Sequence, residues 1–404
     1  MPNQPIQRPK KIGLIGLYRC GNIGDEAIWR AFVQTMRPML PEGSQIRLIA
    51  FGPGGFESDW IPCDETDADG FLHRMAMDDF SARRINLGFW LGRGAARFLR
   101  TLSGLDAVWY AGGHWIHDLS LKTLAGVMLP LVWARLKGAN AGFVNVGAGP
   151  LESVLGKRLT AFAIGAKGPL VVRDEHSRQV LQGASLRRKA EVGRDTAFLL
   201  EPASDEVVDE WWSRIGAPKG KPTIGIVPCA WFKMAHLYSP RARLVQEMID
   251  TLAAQARRMV EKNMTVALIP TMLPEDERVS ERIIEQAGGG CFLVPTRRIP
   301  ARVLMGLIGR LRALVSFRMH PVLFAYKMGT PFVALDYAPK LRSLVRDIGL
   351  ERRLIPLDEN WKERIEEAID ALLSDHDPMA GATPLAQLQQ EARSGLEAAV
   401  RTLE

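Results

Sequence analysis

Two stretches near the carboxyl side of the chain bring together residue types that can do chemistry. Ser316-Phe317-Arg318-Met319-His320-Pro321 is followed, beyond Gly329-Thr330-Pro331, by Asp336-Tyr337-Ala338-Pro339-Lys340. Strand-like runs at 313–316 and 332–335 precede them, so the spacing delivers Arg318 and His320 at the end of one strand and Lys340 at the end of the next. Such a cluster suits an anionic ligand, and an imidazole between two cations has its pKa pulled toward the range useful for proton transfer. The alternative is a structural histidine with satisfied partners.

A third cation, Arg173, ends the run Leu170-Val171-Val172. At a sheet edge a guanidinium can grip a carboxylate or phosphate through two parallel hydrogen bonds; the competing reading is an ion pair with Asp174 or Glu175. Two glycine-containing turns add backbone donors. In Gly21-Asn22-Ile23-Gly24-Asp25-Glu26 a strand leads into a helix, and Asn22 and Asp25 are candidate ligand contacts at a helix N-terminus. The pattern is neither G-x-G-x-x-G nor a Walker loop, and a tight turn whose acids complement the helix dipole fits equally. In Ala111-Gly112-Gly113-His114-Trp115-Ile116-His117-Asp118 the residues Gly112, Gly113, His114 and Asp118 are candidates for a cleft-facing loop, against a turn with Asp118 as an N-cap. His114, His117 and Asp118 make an incomplete metal set, and no metal is expected.

These residues need a scaffold that puts strand ends side by side. Strand-like runs at 12–17, 46–51, 107–111, 141–146 and 170–172 alternate with helical segments, and the rhythm restarts at 223–227, 265–269, 291–294, 313–316 and 332–335. This is the pattern of parallel sheets with helical crossovers. It predicts an α/β protein of two Rossmann-like domains, 1–202 and 203–404, with parallel sheets facing across a cleft at the carboxyl ends of their strands. Residues 52–81, with their Gly, Pro and Asp clusters, read as an irregular insertion. A helix is expected at 205–215, just past the boundary, and another at 385–403 closing the second domain.

Composition narrows the class. The 404 residues are 47% hydrophobic and 24% charged, which excludes a disordered or fibrous chain. Fifty-two Lys and Arg against forty-five Asp and Glu leave +7, favouring anionic partners. Cys20, Cys63, Cys229 and Cys291 lie too far apart in sequence for a zinc or disulfide pattern, and a reducing cytoplasm fits them. The N-terminal residues lack the apolar core of a secretory signal. The apolar run 124–134 is about half of the roughly twenty residues needed to span a bilayer, and reads as a buried helix. Residues 83–102 carry Arg83, Arg84, Arg93, Arg97 and Arg100 among Phe89, Trp90, Phe98 and Leu99, with no acid. This segment could lie peripherally on an anionic membrane at its inner face, or be an ordinary domain helix. No nucleic-acid module is recognisable, and nucleic acid is not an expected partner.

Taken in order, G-N-I-G-D-E-A-I, a Gly-rich loop ending in Asp, R-D-x-x-S, S-x-R-x-H and G-T-P-F-V-A-L-D-Y-A-P-K resemble the polysaccharide pyruvyl transferase family from about Lys11 to Pro356. Departures fall at His114, where the family has a third Gly, and at Pro228-Cys229-Ala230, where it often has Ser-x-Arg. Both bear on acceptor recognition. The resemblance implies a glycosyltransferase-B-like architecture and transfer of a pyruvyl group from phosphoenolpyruvate to a sugar of a cell-surface polysaccharide or its lipid-linked precursor, forming a ketal. It places basic active-site residues at Arg173, His320 and Lys340. In that scheme Arg173, Arg318 and Lys340 bind the donor, His320 supplies the proton, and no cofactor is needed beyond phosphoenolpyruvate as substrate. The competing expectations are a nucleotide-sugar-dependent glycosyltransferase of similar fold and a catalytically silent glycan-binding protein.

Overall fold

The computed structural model describes residues 8–16, 21–52, 55–77, 93–184, 186, 188–218, 220–230 and 245–404. The chain divides into two compact units: one of residues 1–20, 25–200 and 386–404, the other of 21–24 and 201–385.

The first unit is built on β1 (Lys11–Gly16), α1 (Ile23–Met36), β2 (Gln45–Gly52), β3 (Gly55–Trp60), α2 (Glu65–Met77), α3 (Arg93–Thr101), β4 (Ala107–Ala111), β5 (His114–Ile116), α4 (Leu121–Leu136), β6 (Asn140–Ala148), α5 (Val154–Ile164), β7 (Leu170–Val172), α6 (Glu175–Gln182) and β8 (Glu191–Val192). Its sheet runs β3-β2-β1-β4-β6-β7-β8, with β5 paired to β6. Among the described strands of this sheet only β3 is antiparallel, on β2. The central strands are largely apolar, as expected where helices cover both faces: β4 is buried throughout, and Ile15, Tyr110, Phe143 and Val172 share one core.

The second unit contains α7 (Asp205–Arg214), β9 (Thr223–Val227), α8 (Val245–Glu261), β10 (Thr265–Leu268), α9 (Glu275–Ala287), β11 (Cys291–Leu293), α10 (Ala301–Gly309), β12 (Ala313–Ser316), α11 (Met319–Met328), β13 (Phe332–Asp336), α12 (Pro339–Asp347), β14 (Leu354–Pro356) and α13 (Trp361–Ser374). Its six strands are all parallel, in the order β11-β10-β9-β12-β13-β14. Numbered within the unit this is 3-2-1-4-5-6, the doubly wound Rossmann order, whose reversal lies between β9 and β12. Ligands of such sheets bind outside the carboxyl ends of the strands flanking that reversal. The loops leaving β9 and β12 carry Cys229-Ala230 and Arg318-His320.

Several expectations need correction. The segment 52–81 is not an irregular insertion: it contains β3 and α2, and α2 is tied to α1 by buried charge. Arg30, 1% exposed, pairs with fully buried Glu26 at 2.8 Å and with Asp69; His73 Nδ1 lies 2.8 Å from the second Glu26 oxygen. The closing helix α14 (Leu385–Arg401) belongs, from residue 386, with the first unit and not the second. Asn145 donates to the Ala392 carbonyl at 3.2 Å, Asn140 to the Thr402 carbonyl at 2.6 Å and Lys10 to the Leu403 carbonyl at 3.1 Å. A single cut at 202/203 misses this return of the chain. The run 124–134 is helical but buried on one side only: Leu124, Val127 and Leu131 are core, while Leu129 is exposed. In the described part of the basic segment, Phe98 and Leu102 are fully buried, so its aromatic content there is core; residues 83–92 lie outside the described residues.

Candidate functional site

In the second unit the site begins with a buried carboxylate that the sequence reading passed over. Asp276, in the first turn of α9, is fully buried and pairs with both Nε (3.0 Å) and Nη2 (2.6 Å) of Arg318. It also accepts the backbone N–H groups of Ala230 (2.8 Å) and Met272 (3.0 Å). One side chain therefore joins the loops after β9, β10 and β12. Burial pulls the Arg318 pKa down, but neighbouring Cys229, Asp276 and Tyr337 outweigh it and the net shift is upward, so the guanidinium stays charged. Of the donors expected to bind a ligand, two are committed to Asp276; Nη1 makes no hydrogen bond among the described residues. The sequence signal for Asp276 was faint, one acid among three opening a helix, and its burial depends on the approach of Arg318 from a distant strand.

The turn 21–24 belongs to this unit. Ile23 N–H donates to the Thr271 carbonyl at 3.1 Å, Leu273 N–H to the Gly21 carbonyl at 3.0 Å, and Asn22 forms a bridge with Met272. The Asn22 side chain accepts the Gly24 N–H at 3.1 Å, so it caps α1. Gly24 lies against His320: a Cβ there would sit 2.6 Å from Cγ and Cε1 of the imidazole and closer still to Nδ1. Asp25, half-buried in the first turn of α1, falls in the first unit.

His320 is the second residue of α11 and Lys340 the second of α12, on helices that follow the adjacent parallel strands β12 and β13. No described side chain caps either helix. Their first N–H groups and positive dipole ends thus point out of the same sheet edge, the arrangement that attracts anions. By contrast, α4, α5 and α6 are capped by Ser120, Ser153 and Asp174. Lys340 is half-buried, its Nζ 5.7 Å from the Tyr337 ring centre, and makes no ion pair with the described residues. The Tyr337 hydroxyl is buried and finds no hydrogen-bond partner among them. Nothing local in the sequence marks Tyr337 beyond its place in the Asp336-Tyr337-Ala338-Pro339-Lys340 run.

The first unit holds a second group. Arg173, 6% exposed, contacts Asp195 at 3.4 Å and Asp174 at 3.5 Å, both long for a charge-assisted bond. Asp174 and Asp195 are occupied as caps of the segments beginning at 175 and 196. A Cβ on Gly147, at the end of β6, would lie 2.6 Å from His114 Nδ1 and 3.0 Å from Arg173 Nη2, so these two side chains flank the same glycine. Gly147 was not singled out from sequence, although Gly147-Ala148-Gly149-Pro150 after a strand is a visible turn signal. His114 Nε2 lies 2.5 Å from the Gly149 carbonyl, and its ring stacks on His117 at 5.8 Å between centres. Burial lowers the His117 pKa, with Asp118 working against it.

Gly112 and Gly113 have φ of 59° and 76°, and they form the tight turn that lets Trp115 Nε1 donate to the Gly112 carbonyl at 2.7 Å. Asp118 does not cap α4; it accepts the N–H groups of Glu152 (2.9 Å) and Ser153 (2.6 Å) and so fixes the start of α5. Burial alone would raise its pKa, but these hydrogen bonds take it below the usual carboxylate value. Among the described residues no three His, Cys, Asp or Glu side chains are grouped to hold a metal ion.

The sequence matches the family described as polysaccharide pyruvyl transferase over residues 22–339. The amylovoran biosynthesis protein AmsJ of Erwinia amylovora is 22% identical over 371 residues, spanning 84% of this chain and 86% of the relative. Among solved structures, the UDP-GlcNAc 2-epimerase of Neisseria meningitidis bound to UDP-GlcNAc superposes with a TM-score of 0.61 at 10% identity, covering 96% of this chain and 98% of its own. The UDP-GlcNAc 2-epimerase of Methanocaldococcus jannaschii gives 0.57 at 11%, covering 94% and 98%. A glycosyltransferase from Rickettsia africae gives 0.52 at 12%, covering 98% and 96%. At these identities the likeness establishes the fold: two Rossmann-like domains of the glycosyltransferase-B class.

Proposed function

The chain belongs to the polysaccharide pyruvyl transferase family, and from that premise we propose that it transfers the pyruvyl group of phosphoenolpyruvate to two hydroxyls of a polysaccharide sugar, or of its lipid-linked precursor, as a cyclic ketal. The observation that supports this most is the edge of the second sheet: an imidazole and an ammonium on the first turns of two uncapped helices that follow neighbouring strands. Phosphoenolpyruvate carries a carboxylate and a phosphate, and such an edge offers backbone N–H groups, Lys340 and the third nitrogen of Arg318 to neutralise them. We also propose Arg173 as a donor-binding cation, because its long contacts to Asp174 and Asp195 leave the guanidinium weakly committed.

In the proposed reaction His320 protonates the vinyl carbon, which becomes the product's methyl group and leaves an oxocarbenium-like centre. One sugar hydroxyl adds to that carbon and loses its proton, phosphate departs with the C–O bond electrons, and the second hydroxyl closes the ketal with loss of its own proton. The sum is phosphoenolpyruvate plus a diol giving ketal plus phosphate. Arg318, held by Asp276, keeps the start of α11 in register so that the imidazole is positioned before the donor arrives. The direct experiment incubates the purified protein with phosphoenolpyruvate and candidate glycans, and follows phosphate release together with the pyruvyl mass increment on the glycan. Release without glycan modification, or neither with any pyruvylatable glycan, opposes the reading.

A further inference from the structure

Seven of the nine large apolar side chains that stand exposed in the described structure fall between residues 119 and 162 of the first unit. They form two stripes. Leu121, Leu129 and Leu136 lie within one arc of α4, the last 75% exposed; Leu155 and Phe162 share a face of α5 with Val154 beside them, Phe162 being 68% exposed. The stripes are neighbours. Asp118, just before α4, holds the N-terminal end of α5 through Glu152 and Ser153, and Arg135, near the end of α4, donates to the Phe162 carbonyl at 2.9 Å. The helices therefore run parallel with their apolar faces side by side. Contiguous exposed apolar surface of this kind marks an interaction site.

Charge identifies the occupant. From residue 121 to 167, the span of the two helices and the turns beside them, the chain carries six Lys and Arg and a single acid, Glu152. Lys122 and Lys137 flank the α4 stripe at its two ends, and Arg158 stands between Leu155 and Phe162 on α5, all three exposed. Lys137 also lies over the Trp133 ring at 4.9 Å. The basic helix α3 adjoins this face, since Trp133 Nε1 donates to the Leu99 carbonyl at 2.9 Å, and its Arg97 and Arg100 are exposed. A two-fold pairing of this face with a second copy would bring two net-positive patches together, because an isologous contact uses the same patch on both copies. An anionic bilayer accepts apolar side chains at its acyl boundary and attracts the surrounding cations. No described helix is long and apolar enough to cross a membrane, so contact of this kind would be peripheral.

We infer that the α4–α5 face of the first unit docks on an anionic lipid surface, with Leu136 and Phe162 entering the interface and Lys137 and Arg158 meeting the headgroups. This goes beyond the transfer reaction and does not depend on it. The experiment sediments the full-length protein with vesicles of phosphatidylglycerol and phosphatidylcholine, and with phosphatidylcholine alone, at low and high salt. The wild type should bind the anionic vesicles and release as salt rises. Leu136→Glu/Phe162→Glu and Lys137→Glu/Arg158→Glu should each weaken binding by about tenfold or more with an unchanged thermal melt. If the glutamate variants melt early, Leu136→Gln/Phe162→Gln is read in their place. Absence of wild-type binding to anionic vesicles, equal binding by these variants, or a dimer in size-exclusion chromatography that the variants dissociate would each overturn the proposal. None of these readouts needs donor or acceptor, so failure here leaves the transfer reading standing.

Discussion

Gly24 and His320 touch: the glycine in the first turn of α1 lies so close to the imidazole that any β-carbon would overlap it. In a helix, alanine is otherwise better than glycine by about 0.8–1 kcal/mol. Gly24→Ala should therefore leave the melting temperature within a few degrees of wild type while displacing the ring, and a misplacement of about 1 Å costs on the order of a hundredfold in rate. Parallel kcat and thermal-melt measurements check this; wild-type kcat in Gly24→Ala would show that His320 needs no fixed position.

Arg318 is expected to matter for stability as well as for the donor. Arg318→Ala leaves Asp276 buried without its counter-ion, a change that typically costs about 3–5 kcal/mol. Urea unfolding of Arg318→Ala and of Asp276→Asn/Arg318→Gln should show the double variant recovering part of that loss. Equal stability of wild type and Arg318→Ala would mean that the pair is not what joins these loops.

Lys327, near the end of α11, predicts a pH dependence. Burial lowers its pKa to about 8, with Glu201 working against the shift. Between about 8 and the ordinary 10.5 the unfolded chain therefore binds a proton that the folded one does not. Stability then rises with pH across that window, by at most about 3 kcal/mol, and the destabilisation is fully present below it. Urea midpoints of wild type and Lys327→Met at pH values near the two ends of the window should converge as pH rises. A constant difference would contradict a half-buried lysine that loses its proton in the folded state.

Ligand-induced stabilisation separates the competing chemistries. Phosphoenolpyruvate at about a hundred times its Kd should stabilise the protein by about 2.7 kcal/mol, and a uridine or guanosine diphosphate sugar should not. Arg173→Ala and Lys340→Ala should each reduce the phosphoenolpyruvate shift. Stabilisation by a nucleotide sugar alone would favour the glycosyltransferase reading.

How much of this was legible beforehand follows from the range of the interactions involved. The central strands could be read within a residue or two, as at β4, β9 and β12, because strands buried on both faces are continuous apolar runs. Short edge strands such as β3 and β8 lack that pattern. The positions of His320 and Lys340, at the starts of helices after adjacent strands, could be read because each follows its strand closely. Asp276 and Gly147 could not, since their importance lies in partners distant in sequence: Arg318 for one, His114 and Arg173 for the other. The same holds for α14, whose return to the first unit depends on Asn145 and Asn140, polar residues inside a strand that local periodicity does not explain. Arg318 combines both cases: its place after β12 could be read, whereas the internal carboxylate that takes two of its nitrogens could not.

The proposed transfer requires His320 as the source of the proton, and this is tested most directly in deuterium oxide with phosphoenolpyruvate and an accepted glycan, comparing wild type with His320→Gln. The wild type should release phosphate and form a ketal whose methyl group carries one solvent deuterium, while a folded His320→Gln should be slower by about two to four orders of magnitude. Wild-type rates in His320→Gln, or a ketal methyl with no deuterium, would contradict it.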